Sequence, residues 1–364
     1  MKSTHLKKII STVVVITLTI IGTYYVTYRS PEVAAKKLVV VLHPTEYTTV
    51  DRMCLGIEDA WAASKYAGDV VIRKFGFDVF DKIRTLATVE TVFEQKPDVI
   101  VAIGGTAAIA LNETMKKRSI EIPVVFAGVT VAVEWGLIES YEHPGGMMTG
   151  VDSIGEIGSN IQAKLLCIAK PTVKKVLIPF TVSTDPRDKR AESMAESMKN
   201  YLEGRGIEVT ALPLASSYNA LDKIAAVLPG HDTLCSLEID ASAHLNGGFS
   251  KLCAEMGVTF FCGIIDGINL EAALSFGLDP KPIGGHLFTL ATDILFHGKH
   301  PSTMPIVVLT LYRELYINVI AGLSQEYKPH FPQIVRDLAA DPEVAPILKR
   351  MHVVNTHSRH ETAQ

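Results

Sequence analysis

Apolar and polar positions along this chain fall into alternating blocks with the spacing of strands and helices. Four runs have the length and composition of a strand: KKLVVVLH, DVVIRKFGF, PDVIVAIG and IPVVFAG. The first is continuously apolar, which is typical of a strand buried on both faces of a parallel sheet. Amphipathic stretches at Val50–Ala67 and Asp81–Gln95 separate the first three. This alternation predicts a parallel sheet whose strands are joined by right-handed helical crossovers.

The same pattern begins again near Val151. It predicts helices at Ile154–Ala169, Lys189–Gly204 and Ile283–His297, and strands at Val173–Val182, in IEVTALPL, HDTLCSLEI and VTFFCGII, and at Leu270–Asp279. We therefore predict two α/β halves of similar build. After Leu323 the pattern weakens to one short helix followed by a polar end, which is typical of an appendage or a tail.

Length and composition agree with this division. The 364 residues are enough for two domains, and 48% apolar against 20% charged residues indicates substantial cores. The net charge of −4 gives no electrostatic argument for binding nucleic acid. The five cysteines are widely spaced, contain no CxxC pair and are typical of small buried residues, although one pair among Cys235, Cys253 and Cys262 remains open.

The amino terminus determines the compartment. Lysines precede an uncharged run from Ile9 to Tyr28, which is long enough to span a bilayer as a helix. We predict a membrane anchor within residues 1–36; a cleaved signal peptide ending at Val33-Ala34-Ala35 and a buried helix are the alternatives. In the first two cases the rest of the chain lies outside the cytoplasm.

Glycines and hydroxyl groups follow several predicted strands, where ligands bind in open α/β sheets. The turn Gly104-Gly105-Thr106-Ala107 ends one strand and begins a helix, whose first N–H groups favour a carboxylate. Ser183, Thr184 and Asp185 occupy a similar place in the second half. Each group also has a purely structural interpretation, as a tight turn or as a helix cap.

Two carboxylates also follow strands of the second half. Asp240 lies in LEIDAS and Asp266 in IIDGINL, and either is suited to bind the ammonium group of an amino acid. Asp266 is the better candidate, while a loop cap or a surface charge is the alternative for both. Trp135 and Phe180 are interpreted as core or cleft-wall residues.

Five segments together resemble the ABC-transporter substrate-binding protein family that includes the tryptophan and tyrosine binders. They are PDVIVAIGGTAAIAL, IPVVFAGVT with GLIES, HPGGMMTGV, VKKVLIPF, and GLDPKPIGGHLFTLATDILFHGKHPSTMPI. The resemblance covers roughly Lys37 to Leu323. It implies a type I periplasmic-binding-protein-like fold: two Rossmann-like lobes, a hinge of three crossover strands, and a ligand in the cleft between the lobes.

On this basis we expect four regions. Residues 1–36 form the anchor or signal segment, 37–150 with 266–300 the first lobe, 151–265 with 301–323 the second lobe, and 324–364 the tail. The resemblance also implies contacts to the ligand from the first lobe near the first strand, where His43, Thr45, Glu46 and Tyr47 occur. The tip Val129-Thr130-Val131 should face the cleft, although Thr130-Val131-Ala132 departs from the family's threonine-aspartate-proline.

We therefore expect an extracytoplasmic solute-binding protein that closes on an amino acid or a related carboxylated molecule, with an ABC permease and its ATPase as partners. The alternative is a membrane-anchored sensor of the same fold. No G-x-S-x-G elbow or thiol-hydrolase signature favours an enzyme, and no cofactor or metal is expected. The predicted ligand-binding residues are Thr45, Glu46, Tyr47, Gly105, Thr106, Ala107, Val129, Thr130, Ser183, Thr184, Asp240 and Asp266.

Overall fold

The computed structural model describes residues 36–45, 48–79, 81–129, 132–152, 155–182, 189–215, 219–237, 246–263, 272–308, 313–318, 331–342, 344–345 and 351–354. Within these ranges the chain forms two sheets, and helices cover both faces of each sheet. We call each sheet with its helices a lobe. The predicted α/β architecture with two halves is confirmed.

The first lobe contains a fully parallel sheet. Its described strands are β1 (Lys37–Pro44), β2 (Val70–Phe77), β3 (Val99–Ile103), β4 (Val124–Val129), β5 (Met148–Asp152) and β11 (Val307–Val308), in the spatial order β11-β5-β4-β3-β1-β2. Its helices are α1 (Thr48–Ala63), α2 (Lys82–Glu94), α3 (Gly105–Arg118) and α8 (Pro280–His297).

Strand β1 shows why its sequence is continuously apolar. Val39 and Val41 pack on one face of the sheet, in the buried cluster that contains residues of α1 and α8. Val40 and Leu42 pack on the other face, with residues of α2 and α3. A strand buried on both faces has no solvent side, so the apolar run is not interrupted by polar positions.

The second lobe repeats this plan with one antiparallel pair. Its described strands are β6 (Lys175–Thr181), β7 (Glu208–Leu214), β8 (Thr233–Cys235), β9 (Thr259–Cys262), β10 (Leu274–Leu278), β12 (Arg313–Asn318) and β13 (Met351–Val354), in the order β13-β12-β10-β9-β8-β6-β7. Its helices are α4 (Gly155–Ala169), α5 (Arg190–Glu203), α6 (Ala220–Val227), α7 (Asn246–Met256) and α9 (Phe331–Ala340). The order β9-β8-β6-β7 matches β4-β3-β1-β2 of the first lobe.

Helix α8 returns to the first lobe and packs against α1 in backbone contact. A Cβ added to Gly284 would lie 2.2 Å from the Met53 carbonyl oxygen, and one added to Gly56 would lie 2.2 Å from the Lys281 carbonyl oxygen. Only glycine allows two helices to approach this closely. The helix ends where predicted, at Gly298 with a left-handed φ of 67°.

Strand pairing differs from the predicted lobe boundaries at two places. Residues 266–300 were expected in the first lobe, but β10 pairs with β9 and β12 of the second sheet. Residues 301–323 were expected in the second lobe, but β11 pairs with β5 of the first sheet. The chain therefore crosses between the lobes after Asp152, near Asp279 and between Val308 and Arg313. The sequence of an apolar strand does not indicate which sheet the strand joins.

The region after Leu323 contributes more than a tail. The predicted short helix is present as α9, and Lys164 of α4 forms an ion pair of 2.7 Å with Asp341 just after it. Val344 is fully buried in a core cluster of the second lobe. Strand β13 pairs in parallel with β12, where the sequence predicted a polar end. Part of this region therefore completes the second lobe.

Among the described residues, none of the helices has the length and apolar character that a membrane crossing requires. The anchor predicted within residues 1–36 lies almost wholly outside the described ranges. The five cysteines lie inside them and form no disulfide with one another. Burial raises the pKa of Cys54 to about 11 and that of Cys253 to about 12, so both thiols are protonated at neutral pH.

Candidate functional site

The carboxyl edge of the first sheet has two adjacent glycine turns. The Gly104 N–H, at the end of β3, donates a 2.8 Å hydrogen bond to the Ala127 carbonyl oxygen in β4. Gly104 has a φ of 92° and Gly128 a φ of 70°, both in the region that favours glycine. A Cβ added to Gly128 would lie 3.4 Å from the Gly104 nitrogen, so the two turns are in backbone contact.

Helix α3 begins at this edge without a side-chain cap. Gly104 occupies the N-cap position and has no side chain that could accept hydrogen bonds from the first turn. Uncapped N–H groups and the helix dipole together favour an anion. Thr106 is half-buried, whereas the Ala107 side chain is fully buried in the first core, so only its backbone is suited to contact a ligand.

Trp135 covers the start of α3. A Cβ added to Gly105 would lie 2.3 Å from the Trp135 ring, so Gly105 is required for this contact. The ring is 7% exposed and belongs to the core of the first lobe. Phe180 belongs to a core cluster of the second lobe. Trp135 therefore forms a wall beside the α3 N-terminus.

The second lobe reaches this position through Arg190, the first residue of α5. Its Nη1 donates a 3.0 Å hydrogen bond to the Gly128 carbonyl oxygen. Its guanidinium carbon lies 5.9 Å from the centroid of the Trp135 ring, within the range of a cation–π contact. Three features of the first lobe and one side chain of the second thus meet at a single point, and the carboxyl edges of the two lobes face each other there.

Two of the three lobe crossings are joined by Tyr141. Its hydroxyl donates to the fully buried Asp152 carboxylate, at the end of β5. Its carbonyl oxygen accepts a 2.8 Å hydrogen bond from the Ile306 N–H, just before β11. Burial, followed by the bond to Asp152, raises the pKa of Tyr141 well above its ordinary value, so the hydroxyl remains a donor. Tyr141 therefore holds these two crossings together on the side of the first lobe.

A match to a protein family accounts for this arrangement. A family model described as "ABC transporter substrate binding protein" matches residues 38–326. The chain belongs to the ABC transporter substrate-binding protein family. The matched range includes the three crossings, the edge where Arg190 meets Gly128, and both lobes up to the end of β12; α9 and β13 of the second lobe lie beyond it.

A relative in sequence and a solved structure are similar to this substrate-binding protein. A tyrosine-binding protein from Clostridioides difficile (strain R20291) is 23% identical over 265 residues, which is 72% of this chain and 74% of that protein. An ABC domain in complex with L-Trp from Streptococcus pneumonia superposes with a TM-score of 0.69 at 19% identity, covering 87% of this chain and 100% of that one.

A further solved structure binds a sugar. It is a solute-binding protein from Agrobacterium vitis with α-D-tagatopyranose, with a TM-score of 0.57 at 18% identity, covering 85% of this chain and 99% of that one. The shared fold is therefore compatible with more than one class of ligand.

The predicted site residues of the substrate-binding protein divide into four groups. Gly105 and Thr106 lie at the uncapped helix start, and the Ala107 side chain lies in the core behind them. The Val129 side chain is also fully buried in that core. The predicted residues Glu46, Tyr47, Thr130, Ser183, Thr184, Asp240 and Asp266 lie outside the described residues.

Thr45 is bound to the end of β2. Its N–H and its hydroxyl both donate to the Phe77 carbonyl oxygen, at 2.9 Å and 3.3 Å. It borders an open groove of about 450 Å³ between the end of β2 and one side of α2.

Sequence reasoning did not identify Arg190. The segment Lys189–Gly204 was interpreted as an ordinary helix, and only the residues before it were considered for binding. A signal was present, because two cations at a helix start oppose the helix dipole. Such a residue requires a partner from outside its own helix, and here Gly128 and Trp135 provide one.

Proposed function

We propose that this chain is the extracytoplasmic solute-binding protein of an ABC importer, and that it closes its lobes on an amino acid or a related small carboxylated molecule. One observation carries the proposal: the uncapped start of α3 lies in the edge that Arg190 of the second lobe contacts. A ligand at that point would touch both lobes, so binding would favour the closed arrangement.

The chemistry of the first lobe favours a carboxylate. The first N–H groups of α3 have no side-chain acceptor at the N-cap, and the helix dipole adds a partial positive charge. The half-buried Thr106 hydroxyl is suited to donate an additional hydrogen bond. Trp135 restricts the site on one side and excludes water from it.

For the remaining contacts we propose the residues that the sequence suggested. Asp266, which follows β9, would pair with the ammonium group of the ligand. Ser183 and Thr184, which follow β6, would contact the ligand from the second lobe. Tyr47 and Glu46 would contribute from the loop after β1, and Thr130 from the loop after β4. The tyrosine-binding relative and the L-Trp-bound structure support an amino acid as the ligand class.

Thermal denaturation with a matched set of compounds tests the ligand class. L-Tryptophan and L-tyrosine should raise the melting temperature, because a molecule that binds only the folded state stabilises it. Tryptamine lacks the carboxylate and should give no shift, while indole-3-propionate lacks the amine and should give a reduced one. D-Tagatose serves as the neutral comparison.

The outcomes separate the parts of the proposal. Asp266→Ala should abolish the shift caused by the amino acid and leave the melting temperature without ligand nearly unchanged. A shift with D-tagatose and none with any carboxylate would overturn the ligand class. Equal shifts with tryptamine and L-tryptophan would instead show that the α3 N-terminus does not bind the ligand carboxylate.

We also propose that residues 9–28 anchor the protein in the inner membrane, with both lobes on its extracytoplasmic side. The uncharged run of this segment supports the proposal. After lysis, the full chain should stay with the membranes through an alkaline carbonate wash. Release of the full chain into the wash would contradict an uncleaved anchor.

A further inference from the structure

Arg190 lies at the positive end of the dipole of its own helix. It is the first residue of α5, it follows Lys189, and the N-cap makes no side-chain hydrogen bond. A helix start carries partial positive charge, so a cation there is unfavourable unless something outside the helix compensates. Glu192 in the first turn offsets part of this charge. Across the cleft, the guanidinium contacts the Gly128 carbonyl oxygen and the Trp135 ring of the first lobe.

The first lobe presents a backbone acceptor at a break in its strand pairing. The register between β4 and β5 shifts between Phe126 and Val129, and the pairing of β3 with β4 ends at Ala127. Gly128 therefore lies past the end of the β3–β4 pairing and inside the irregularity of the β4–β5 ladder, and its positive φ redirects the backbone there. Its carbonyl oxygen accepts from Arg190.

Trp135 supplies the second half of the contact. The ring is held from below by Gly105 and is almost fully buried. The guanidinium lies over its face, where the negative potential of the ring attracts a cation. An arginine suits this double contact because its planar group can stack and donate a hydrogen bond at the same time.

We propose that Arg190 is an interlobe latch: a positioning residue whose contacts with Gly128 and Trp135 form when the lobes close and hold them closed. This inference rests on the proposed function, because a latch has a role only in a protein that opens and closes. Part of the stability of the closed form would then come from the protein itself, and the affinity for any ligand would depend on Arg190.

The distance between the lobes tests the latch without any ligand. Spin labels are attached to cysteines introduced by Glu134→Cys in the first lobe and Glu203→Cys in the second. Double electron–electron resonance then measures the distance between the labels in the full chain. Both positions are exposed, and Cys167→Ser removes the partly buried native thiol. Arg190→Ala should shift the distances to longer values, and Arg190→Lys, which keeps the charge but cannot stack, should give an intermediate shift.

Arg205→Ala is the matched control. Arg205 follows the far end of α5 and lies over Tyr201 of the same lobe, with 3.6 Å from its guanidinium carbon to the ring centroid, so its removal deletes an equal charge and a similar contact within one lobe. It should leave the distances unchanged. The double variant Arg190→Ala with Trp135→Leu should open no further than Arg190→Ala alone, because both changes remove one contact.

Unchanged distances in Arg190→Ala, or an equal shift in Arg205→Ala, would overturn the latch. So would a double variant whose shift is the sum of the single shifts. If L-tryptophan or L-tyrosine binds the parent, Arg190→Ala should weaken that binding by about 10- to 100-fold, mainly through faster dissociation. Failure of the parent to bind either compound would count against the proposed ligand and would leave the label distances as the decisive test.

Discussion

Each lobe has an aspartate at the amino edge of its sheet, just before the corresponding strand, and its carboxylate accepts hydrogen bonds from the backbone and from a lysine. Only in the second lobe is that lysine buried. In the first lobe, Asp98 precedes β3 and accepts from the Leu38 N–H at 2.8 Å and from Lys37 Nζ at 2.9 Å. In the second, Asp232 precedes β8, the corresponding strand, and accepts from the N–H groups of Lys174 and Lys175 at 2.7 Å and 3.0 Å.

The lysines differ in origin and in surroundings. Lys37 belongs to β1 and its side chain is 44% exposed, whereas Lys170 follows α4 and its side chain is 10% exposed. Lys170 Nζ donates to Asp232, to Thr233 Oγ1 and to Thr259 Oγ1, at distances between 2.7 and 3.1 Å. The ammonium group therefore joins the end of α4 to three strands: β8 and β9 directly, and β6 through Asp232. The comparison shows that duplicated topology does not imply equal dependence on an ion pair.

Removal of the second-lobe carboxylate should have the largest effect. Asp232→Ala should lower the free energy of unfolding by about 3 kcal/mol, because it leaves the Lys170 ammonium without its counter-ion and two backbone N–H groups without an acceptor. Asp98→Ala should cost about 1 kcal/mol, since its partner is solvated. Urea denaturation measures both free energies of unfolding. Equal decreases for the two variants would contradict the proposed difference between the two sheet edges.

Helix packing also differs between the lobes. In the first lobe, α1 and α8 are in backbone contact at glycines. In the second lobe, α4 and α5 contribute buried alanine and methionine side chains to one core cluster. Gly284→Ala should cost about 2 kcal/mol, because its Cβ would overlap the Met53 carbonyl oxygen. Gly285→Ala, one position later in the same helix, meets no atom within 4 Å and should stabilise by about 1 kcal/mol. Thermal denaturation of the two variants should give shifts of opposite sign.

Acid should weaken the second-lobe edge. Burial opposes ionisation of Asp232, but hydrogen bonds from Thr233, Lys174 and Lys175 and the charge of Lys170 outweigh it, so the pKa of Asp232 is lowered. A lowered pKa contributes stability above the unfolded value of about 3.9, and this contribution is lost as the pH falls through the folded value. The stability difference between the parent and Asp232→Asn should therefore be constant from about pH 7 to 5 and shrink below about pH 4. A difference that grew on acidification would contradict this sign.

The smallest effect belongs to the exposed lysine. Lys37→Met should change the free energy of unfolding by about 0.5 kcal/mol or less, and added salt should remove the difference, because a solvated ion pair is screened. Lys170→Met deletes the buried partner and provides the comparison. Similar costs for the two substitutions would show that burial of the lysine does not set its importance.

The sequence predicted most of the elements because their signals are local. The apolar run around Val39–Leu42 identified a strand buried on both faces, and Gly298 marked the end of α8. Sheet membership was not local: β10 was assigned to the first lobe, since only pairing with β9 and β12 places it in the second. Arg190 was missed for the same reason, because its partners Gly128 and Trp135 are distant in the chain.

Strand β13 has a consequence for how the protein behaves at high concentration. It occupies the outer side of β12, whose N–H and C=O groups would otherwise form an open edge. An unpaired strand edge is a template for another chain, so a truncation before Met351 should expose β12 and increase self-association at high concentration. The last residues of the second sheet would then govern colloidal behaviour, independently of what the cleft binds.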